Sequence, residues 1–207
     1  FLLDKFNYLD KKVIKYKKIY LYPNNKKFKN QADDAMITSK ICLKLKPSLI
    51  ISCLHKPIYS KSRNLISLIS SNDIRWEKCD IKSVSLLANV LLKQKAKKNK
   101  SIECIMVDNN GYVTEATTSN VMIIKNDTII TRPLSSKILA GVTRDVILHF
   151  ARKLNIPFKV KKFKIEDIFQ AQSTFLTNSS SFIMEAKILN KKSLNIDNGN
   201  IIKMIKS

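Results

Sequence analysis

Beyond residue 64 the chain alternates short apolar segments with turn residues, and this pattern restricts the fold more than any other feature. The clearest turns are Asn109–Asn110–Gly111 and Asn126–Asp127, and each predicts a β-hairpin. Strands are predicted at residues 65–69, 73–80, 102–107, 112–115, 120–124, 128–131, 157–163, 174–177 and 182–189. Helices are predicted at residues 83–98, 141–154, 165–169 and 200–206. In the helix 141–154 the apolar residues lie on one stripe, which is the predicted buried face: Val142, Val146, Ile147, Phe150 and Leu154. Strands with interspersed helices predict an α+β fold around a largely antiparallel sheet.

The first part of the chain gives weaker signals. Residues 48–54 form a short continuous apolar run, which is consistent with a strand buried on both faces. A segment with Pro57 and several polar residues follows and is the best candidate for a linker. We therefore predict an N-terminal part at residues 1–56, a linker at 57–63 and the main domain at 64–207.

The basic charge of the chain raises the question of a nucleic-acid or membrane partner. The 207 residues carry a formal net charge of +22, yet the basic residues are overwhelmingly lysines spread along the whole chain. Specific readers of bases use arginine forks and aromatic platforms, and neither is clustered here. The composition therefore predicts a globular protein whose main partner is no nucleic acid, with an electrostatic nucleic-acid binder as a further alternative. No apolar run approaches the roughly 18 residues of a membrane span, so no membrane partner is expected. The cysteines lack the paired spacing of a metal site, so no metal is expected.

Lys82 is the candidate residue for chemistry. It follows an extended segment that contains Trp76, and it precedes the apolar residues of the predicted helix 83–98. A lysine at the junction of a strand and a buried helix must leave water, and burial favours the neutral amine. A neutral amine can form a Schiff base with a carbonyl compound such as pyridoxal phosphate. The alternative is a lysine at the end of an element whose ammonium group reaches solvent.

Three further features suit the binding of such a cofactor. Glu115 ends a strand and could pair with a protonated ring nitrogen, although it could also be a surface residue of a hairpin. Gly141 precedes a predicted helix, so backbone amides and the Thr143 hydroxyl could bind phosphate, or the glycine could only begin the helix. Small polar residues at 177–181 could also surround a phosphate, or form an ordinary turn.

Taken in this order, these blocks resemble the fold-type IV pyridoxal-phosphate enzymes. The similarity runs from about residue 48 to near the end of the chain. The blocks that carry it are Asp73-Ile74-Arg75-Trp76 with Cys79-Asp80-Ile81-Lys82-Ser83, Gly111-Tyr112-Val113-Thr114-Glu115 with Ser119-Asn120-Val121, and Ile138 to Asp145. The first block is most similar to the D-amino-acid aminotransferase branch.

The resemblance implies a fold, a cofactor and a reaction. It implies a C-terminal cofactor-binding domain with a remnant of a smaller N-terminal α/β domain, in a cytoplasmic homodimer. It implies pyridoxal 5'-phosphate as cofactor and amino transfer from D-alanine to 2-oxoglutarate, giving D-glutamate and pyruvate. Lys82 would form the Schiff base and move the substrate proton. The remaining cofactor-binding residues would be Glu115 at the ring nitrogen, Leu139 at the ring face, and Val142, Thr143, Asn178 and Ser179 at the phosphate.

The N-terminal part departs from the family pattern. The family binds the substrate carboxylate with an arginine- and histidine-bearing loop, but residues 31–36 here read Gln-Ala-Asp-Asp-Ala-Met, and two aspartates would repel a carboxylate. The alternatives are therefore a truncated inactive remnant that at most binds cofactor, activity that needs a separately encoded N-terminal piece, or a relative of the branched-chain aminotransferases and aminodeoxychorismate lyases.

Overall fold

The computed structural model describes residues 13–20, 50–57, 65–196 and 200–206 of the chain. The chain divides into two compact units, Phe1–Tyr59 and Ser60–Ser207. In the first unit, strands β1 (Val13–Tyr20) and β2 (Ile50–Pro57) form an antiparallel pair. The predicted strand at residues 48–54 is thus confirmed in part, while its burial and the segment at 31–36 lie outside the described residues. The predicted linker stays a prediction.

The described residues of the second unit form nine strands and four helices. The strands are β3 (Leu65–Asn72), β4 (Glu103–Val107), β5 (Val113–Ala116), β6 (Asn120–Lys125), β7 (Thr128–Thr131), β8 (Phe158–Val160), β9 (Ser173–Asn178), β10 (Phe182–Leu189) and β11 (Lys192–Ser193). The helices are α1 (Leu87–Lys98), α2 (Val142–Lys153), α3 (Ile165–Gln170) and α4 (Asn200–Lys206). Both predicted hairpin turns are confirmed, and Gly111, Asn126 and Asp127 have positive φ.

The nine strands form one sheet in the order β5-β4-β3-β10-β9-β6-β7-β8, with β11 paired to β10. The hairpin pairs are antiparallel, whereas β3–β4, β3–β10 and β7–β8 are parallel. The predicted α+β class is confirmed. Strand β6 lies beside β9, and this pairing brings Asn120 opposite Thr177, two residues that are far apart in the sequence.

Both faces of the sheet are covered. Alternate side chains of a strand point to opposite faces, and β6 shows this directly because Val121 and Ile123 join one buried cluster while Met122 and Ile124 join the other. Helix α3 covers the first face through Ile168, and α2 covers the second face through Ile147. A strand buried on both faces cannot slide in register without exposing apolar groups, so the ends of β6 and β9 are fixed in place.

Two predicted elements differ from the structure. Residues 73–80 are irregular, because the Asp73 carboxylate accepts the backbone N–H of Arg75 and holds the chain in a local turn. The helix predicted from residue 83 begins only at Leu87. Its early apolar residues, Val84, Leu86, Leu87, Val90 and Leu91, are exposed.

Helix α2 also faces its core differently from the prediction. Apolar spacing favoured a stripe that includes Val142, Phe150 and Leu154, but these three side chains are exposed by 75%, 39% and 37%. The buried residues of α2 are Thr143, Arg144, Ile147, Leu148 and Ala151. The helix turns its polar residues Thr143 and Arg144 inward because Arg144 donates to the carbonyl oxygen of Arg132 at 3.0 Å.

Among the described residues, no helix is long and apolar enough to cross a membrane. In the same part of the chain, no group of three or more His, Cys, Asp or Glu side chains is placed to hold a metal ion.

Candidate active site

A cleft of about 940 Å³ lies in the second unit, where several chain segments end close together. One wall is the segment between β3 and α1 together with α1 itself. The opposite wall is formed by the loop after β5, the start of α2 and the end of β9. The residues that line it include all seven predicted from the sequence: Lys82, Glu115, Leu139, Val142, Thr143, Asn178 and Ser179.

The Glu115 carboxylate is held from three directions. Its Oε1 accepts a hydrogen bond from Nη1 of Arg75, and its Oε2 accepts from Nδ2 of Asn120 and from the backbone N–H of Leu139, each at 3.1 Å. Asn120 is fixed in turn, since its Nδ2 also donates to the Leu139 carbonyl oxygen at 2.9 Å. The carboxylate therefore has one orientation at the wall of the cleft.

Burial and charge act on this carboxylate in opposite directions. Burial raises the pKa of Glu115, the charge of Arg75 and its hydrogen bond oppose that rise, and the pKa remains above its usual range. Burial also raises the pKa of Asp73, but its hydrogen bonds to Arg75 outweigh this, so that the pKa lies below its ordinary value. The guanidinium of Arg75 thus serves two carboxylates at once.

The start of α2 forms a second part of the wall. Gly141 precedes the helix with extended backbone, so the first amide groups of α2 have no partner within the helix. A Cβ at Gly141 would overlap the side-chain oxygen of Asn120, which explains the glycine without any positive φ. Glycine therefore allows the helix terminus to approach the same asparagine that orients Glu115.

The hairpin between β9 and β10 forms the third part. Asn178 Oδ1 accepts the backbone N–H groups of Ser180 and Ser181 at 2.9 and 2.7 Å, and its Nδ2 donates to Ser119 Oγ at 2.9 Å. Asn178 therefore shapes the loop that presents the exposed Ser179. Beside it, Thr177 lines the cleft, and its buried Oγ1 has no hydrogen-bond partner among the described residues.

Lys82 lies at the wall of this cleft, but the expectation that it is buried is wrong. Its side chain is exposed, and so are the apolar residues Val84, Leu86 and Leu87 that follow it. Lys93 and Lys97 of α1 also line the cleft. The cleft therefore combines a buried end around Glu115 with a more open side that carries lysines.

Three residues that build the site carried no role in the sequence prediction. Glu103 on β4 is 1% exposed, accepts from the hydroxyls of Thr117 and Thr118, and pairs with Lys93 at 2.8 Å. This buried carboxylate fixes the loop after β5 and ties it to α1. Arg75 and Asn120 stood inside the recognised blocks, and the scarcity of arginine was the one signal that could have drawn attention to Arg75.

The donors of the cleft fit pyridoxal phosphate. A carboxylate at one end suits a protonated ring nitrogen. The amides of a 12-residue helix and the unpartnered Thr177 hydroxyl suit a phosphate. Leu139 is half-buried beside Glu115 and is placed to contact a flat ring.

Comparison with known proteins agrees with the fold. The sequence model of the family "Amino-transferase class IV" matches residues 17–189, and the chain belongs to this family of fold-type IV transaminases. A D-alanine aminotransferase from Bacillus licheniformis is 35% identical over 124 residues, which are 60% of this chain and 44% of the relative. A D-alanine aminotransferase from Staphylococcus epidermidis is 40% identical over 126 residues, 61% of this chain and 44% of the relative. The chain thus spans less than half the length of the curated relatives it matches.

Solved structures share the fold at lower identity. The branched-chain amino acid aminotransferase of Escherichia coli superimposes with a TM-score of 0.68 at 21% identity, over 79% of this chain and 57% of that one. The branched-chain aminotransferase of Thermoproteus uzoniensis gives a TM-score of 0.71 at 21% identity, over 79% and 56%. The predicted membership in the fold-type IV transaminases is confirmed by the family model, and the predicted fold by these structures.

Proposed function

We propose that this cleft binds pyridoxal 5'-phosphate and that the protein transfers the amino group of D-alanine to 2-oxoglutarate, giving D-glutamate and pyruvate. The observation that carries the proposal is the Glu115 carboxylate, fixed by three donors in the same cleft as Lys82 and the start of α2. The similarity to D-alanine aminotransferases at 35% and 40% identity favours the D-amino-acid substrate.

Each group has a distinct task in this proposal. Pyridoxal phosphate, when bound, supplies an electron sink that stabilises charge at the substrate Cα. Glu115 keeps the ring nitrogen protonated, Val142, Thr143 and Ser179 bind the phosphate, and Asn178 takes part there by shaping the loop that presents Ser179. Lys82 binds the cofactor through its amine and then moves the proton at the substrate Cα. Leu139 orients the ring.

A second candidate is a truncated remnant that binds the cofactor without turnover. It is favoured by the length of the match, which is 44% of each of the two relatives. It is also favoured by the aspartates at residues 33 and 34, where the family resemblance implies carboxylate-binding residues. Amino transfer by branched-chain enzymes uses the same fold, so the substrate preference needs its own test.

The first experiment locates the cofactor. Purified protein is incubated with pyridoxal phosphate, reduced with borohydride, digested and mapped by mass spectrometry. The expected result is a phosphopyridoxyl group on Lys82, absent in Lys82→Ala and present in Lys97→Ala, which removes another lysine of the same cleft. Modification spread over many lysines, unchanged in Lys82→Ala, would contradict the proposal.

The second experiment separates transaminase from remnant. D-Alanine, L-leucine and L-alanine are added in turn to the loaded protein, and the cofactor absorbance is followed together with the release of the oxo acid. Conversion of the cofactor to its amino form by D-alanine alone supports the proposed reaction. Retention of the cofactor with no conversion by any of the three supports the remnant.

We further propose a homodimer in the cytoplasm, where D-alanine and D-glutamate are used as building blocks of peptidoglycan. The exposed apolar residues Val84, Leu87 and Val90 support a contact with a second copy, because such a face is costly to leave in water. Light scattering tests it: the double variant Leu87→Glu/Val90→Glu is expected to be monomeric, and an unchanged mass would contradict this contact. If the wild-type protein is monomeric, the proposed homodimer is wrong, and the alternative partner is a separately encoded N-terminal piece.

A further inference from the structure

The guanidinium of Arg75 is surrounded by acceptors. Nε and Nη2 donate to the two oxygens of Asp73 at 2.9 and 2.7 Å, Nη2 also donates to the Lys137 carbonyl oxygen at 2.9 Å, and Nη1 donates to Glu115. Its side chain is 4% exposed. The planar guanidinium of Arg75 donates in fixed directions to two carboxylates, those of Asp73 and Glu115. The ammonium group of a lysine could not reproduce this arrangement.

Asp73 is itself held at the end of the sheet. Its backbone N–H donates to the Val107 carbonyl oxygen at 2.8 Å, and its Oδ2 accepts from the Thr114 hydroxyl at 2.7 Å. The neighbours β4 and β5 therefore set the position of Asp73, Asp73 sets the plane of Arg75, and Arg75 reaches Glu115. The last step of this path joins Arg75 to Glu115, a residue 40 positions further along the chain.

We propose that Arg75, oriented by Asp73, is a positioning residue that keeps the Glu115 carboxylate charged and aimed at the cleft. This inference rests on the proposed cofactor, because the charge matters for catalysis only if Glu115 faces a protonated ring nitrogen. Without Arg75, Glu115 would be a buried acid beside another carboxylate, and both burial and the charge of Asp73 would favour its protonation. A protonated Glu115 could still donate a hydrogen bond but could not balance a positive ring.

Among the groups that surround Glu115, Arg75 is the cation placed to keep its carboxylate charged. The segment after β3 contributes Asp73, Arg75 and the thiol of Cys79, while β6 contributes the neutral amide of Asn120. The segment before α2 contributes backbone groups of Lys137 and Leu139. Lys82 lines the same cleft from the exposed side.

The chain uses arginine sparingly, and three of its five arginines are in positions of this kind. Its arginines are Arg63, Arg75, Arg132, Arg144 and Arg152, against a large excess of lysine. The side chains of Arg75, Arg132 and Arg144 are exposed by only 4%, 4% and 3%, and each donates to a backbone carbonyl as well as to a carboxylate. At these three positions arginine supplies several directed donors at once.

The test reads Glu115 directly in cofactor-free protein. Protein labelled with ¹³C-glutamate is titrated by NMR, and Glu115→Gln identifies the Glu115 carboxyl signal. In Arg75→Gln the Glu115 titration is expected to move to higher pH, in Arg75→Lys to move less, and in the matched control Arg152→Gln to stay in place. An unchanged Glu115 titration in Arg75→Gln would overturn the inference.

A second variant protects the test against misfolding of Arg75→Gln. Asp73→Asn removes the nearby negative charge and keeps an acceptor for Arg75, so the Glu115 titration should move to lower pH. No movement in this variant would also overturn the inference, because the charges of Asp73 and Arg75 would then not set the protonation of Glu115.

The cofactor gives an independent readout. Arg75→Gln is expected to weaken the affinity for pyridoxal phosphate by about 10- to 100-fold, the loss typical of one hydrogen bond to a charged group. An unchanged affinity would overturn the role of Arg75 in the site. If the wild-type protein binds no cofactor, the proposed function fails, whereas the NMR titration still decides whether Arg75 keeps Glu115 charged.

Discussion

At the scale of single residues, the cleft depends on side chains that hydrogen-bond to other residues of the site. Asn120 is the clearest case, since its amide joins Glu115 to the Leu139 carbonyl while its oxygen faces Gly141. A small change at one of these residues must therefore displace another. Buried polar networks of this kind are costly when one member is lost.

Gly141→Ala tests this dependence. The added Cβ would displace the Asn120 side chain, which is 6% exposed, and so break its bonds to Glu115 and Leu139. We expect the affinity for pyridoxal phosphate to fall by at least about 10-fold, since one hydrogen bond to a charged group contributes about 1.5–3 kcal/mol. Fluorescence titration measures it.

Gly111→Ala is the matched control for that variant. Gly111 has φ +79°, and apart from the glycine itself and its two chain neighbours, none of the described atoms lies within 4 Å of the point that a Cβ would occupy. Alanine there would strain the backbone by roughly 1–2 kcal/mol without touching the cleft. Its stability should fall while cofactor affinity stays the same. Equal losses of affinity in the two variants would show that Gly141 acts only through stability.

At the scale of elements, the β5–β6 loop is held by a buried carboxylate of the neighbouring strand β4. Glu103 accepts from Thr117 and Thr118, and the Thr117 carbonyl oxygen accepts from Asn89 Nδ2 of α1 at 2.8 Å. The loop and α1 are therefore coupled. Replacing Glu103 by alanine would leave the hydroxyls of Thr117 and Thr118 without their acceptor. The β5–β6 loop, which forms part of the cleft wall, would then be held less firmly.

Helix α2 offers a test of which face is buried. Leu148 is 6% exposed and belongs to a core cluster, whereas Leu154 is 37% exposed although its spacing predicted a buried position. Leu148→Ala is expected to lower the free energy of unfolding by about 2–5 kcal/mol. Leu154→Ala should cost clearly less, and urea unfolding compares the two. Equal losses would mean that α2 is rotated relative to the structure.

Much of the element order could be predicted because it depends on local signals. The turns at Gly111 and at Asn126 follow from residues that tolerate positive φ. The parallel pairing of β3 with β4 and β10 could not be predicted, because it depends on contacts between distant segments. The contact of Arg75 with Glu115 was missed for the same reason. The strand predicted at residues 73–80 was wrong because the Asp73 side chain forms a local turn there.

At the scale of the whole molecule, several buried or hydrogen-bonded carboxylates make stability depend on pH. Burial raises the pKa of Asp108, but the backbone N–H of Tyr112 and the guanidinium of Arg132 outweigh it and hold the pKa below its usual range. The backbone N–H of Lys164 and the ammonium of Lys125 lower the pKa of Asp167 in spite of burial. Asp73 behaves likewise.

The direction of the dependence follows from these shifts. A carboxylate with a depressed pKa stabilises the folded state above its unfolded pKa, about 3.9 for aspartate, and this contribution is lost as pH falls through the folded value. Glu115 acts in the opposite sense, because its raised pKa makes its contribution fall as pH rises from about 4.3. Three aspartates against one glutamate predict that the protein loses stability on acidification below about pH 4.

Asp108→Asn isolates one of these contributions. The amide cannot balance the charge of Arg132, whose side chain is 4% exposed and whose Nη2 lies 3.1 Å from Asp108. We expect the free energy of unfolding at pH 7 to fall by about 1–3 kcal/mol, the range for the loss of a hydrogen bond between charged groups. The decrease in the free energy of unfolding between pH 5 and pH 2 should also become shallower. Urea unfolding at a series of pH values measures both. Asp80→Asn removes the same charge at an exposed residue and controls for the net charge of +22, so an equal effect in that variant would attribute the acid sensitivity to general repulsion instead of the Asp108–Arg132 pair.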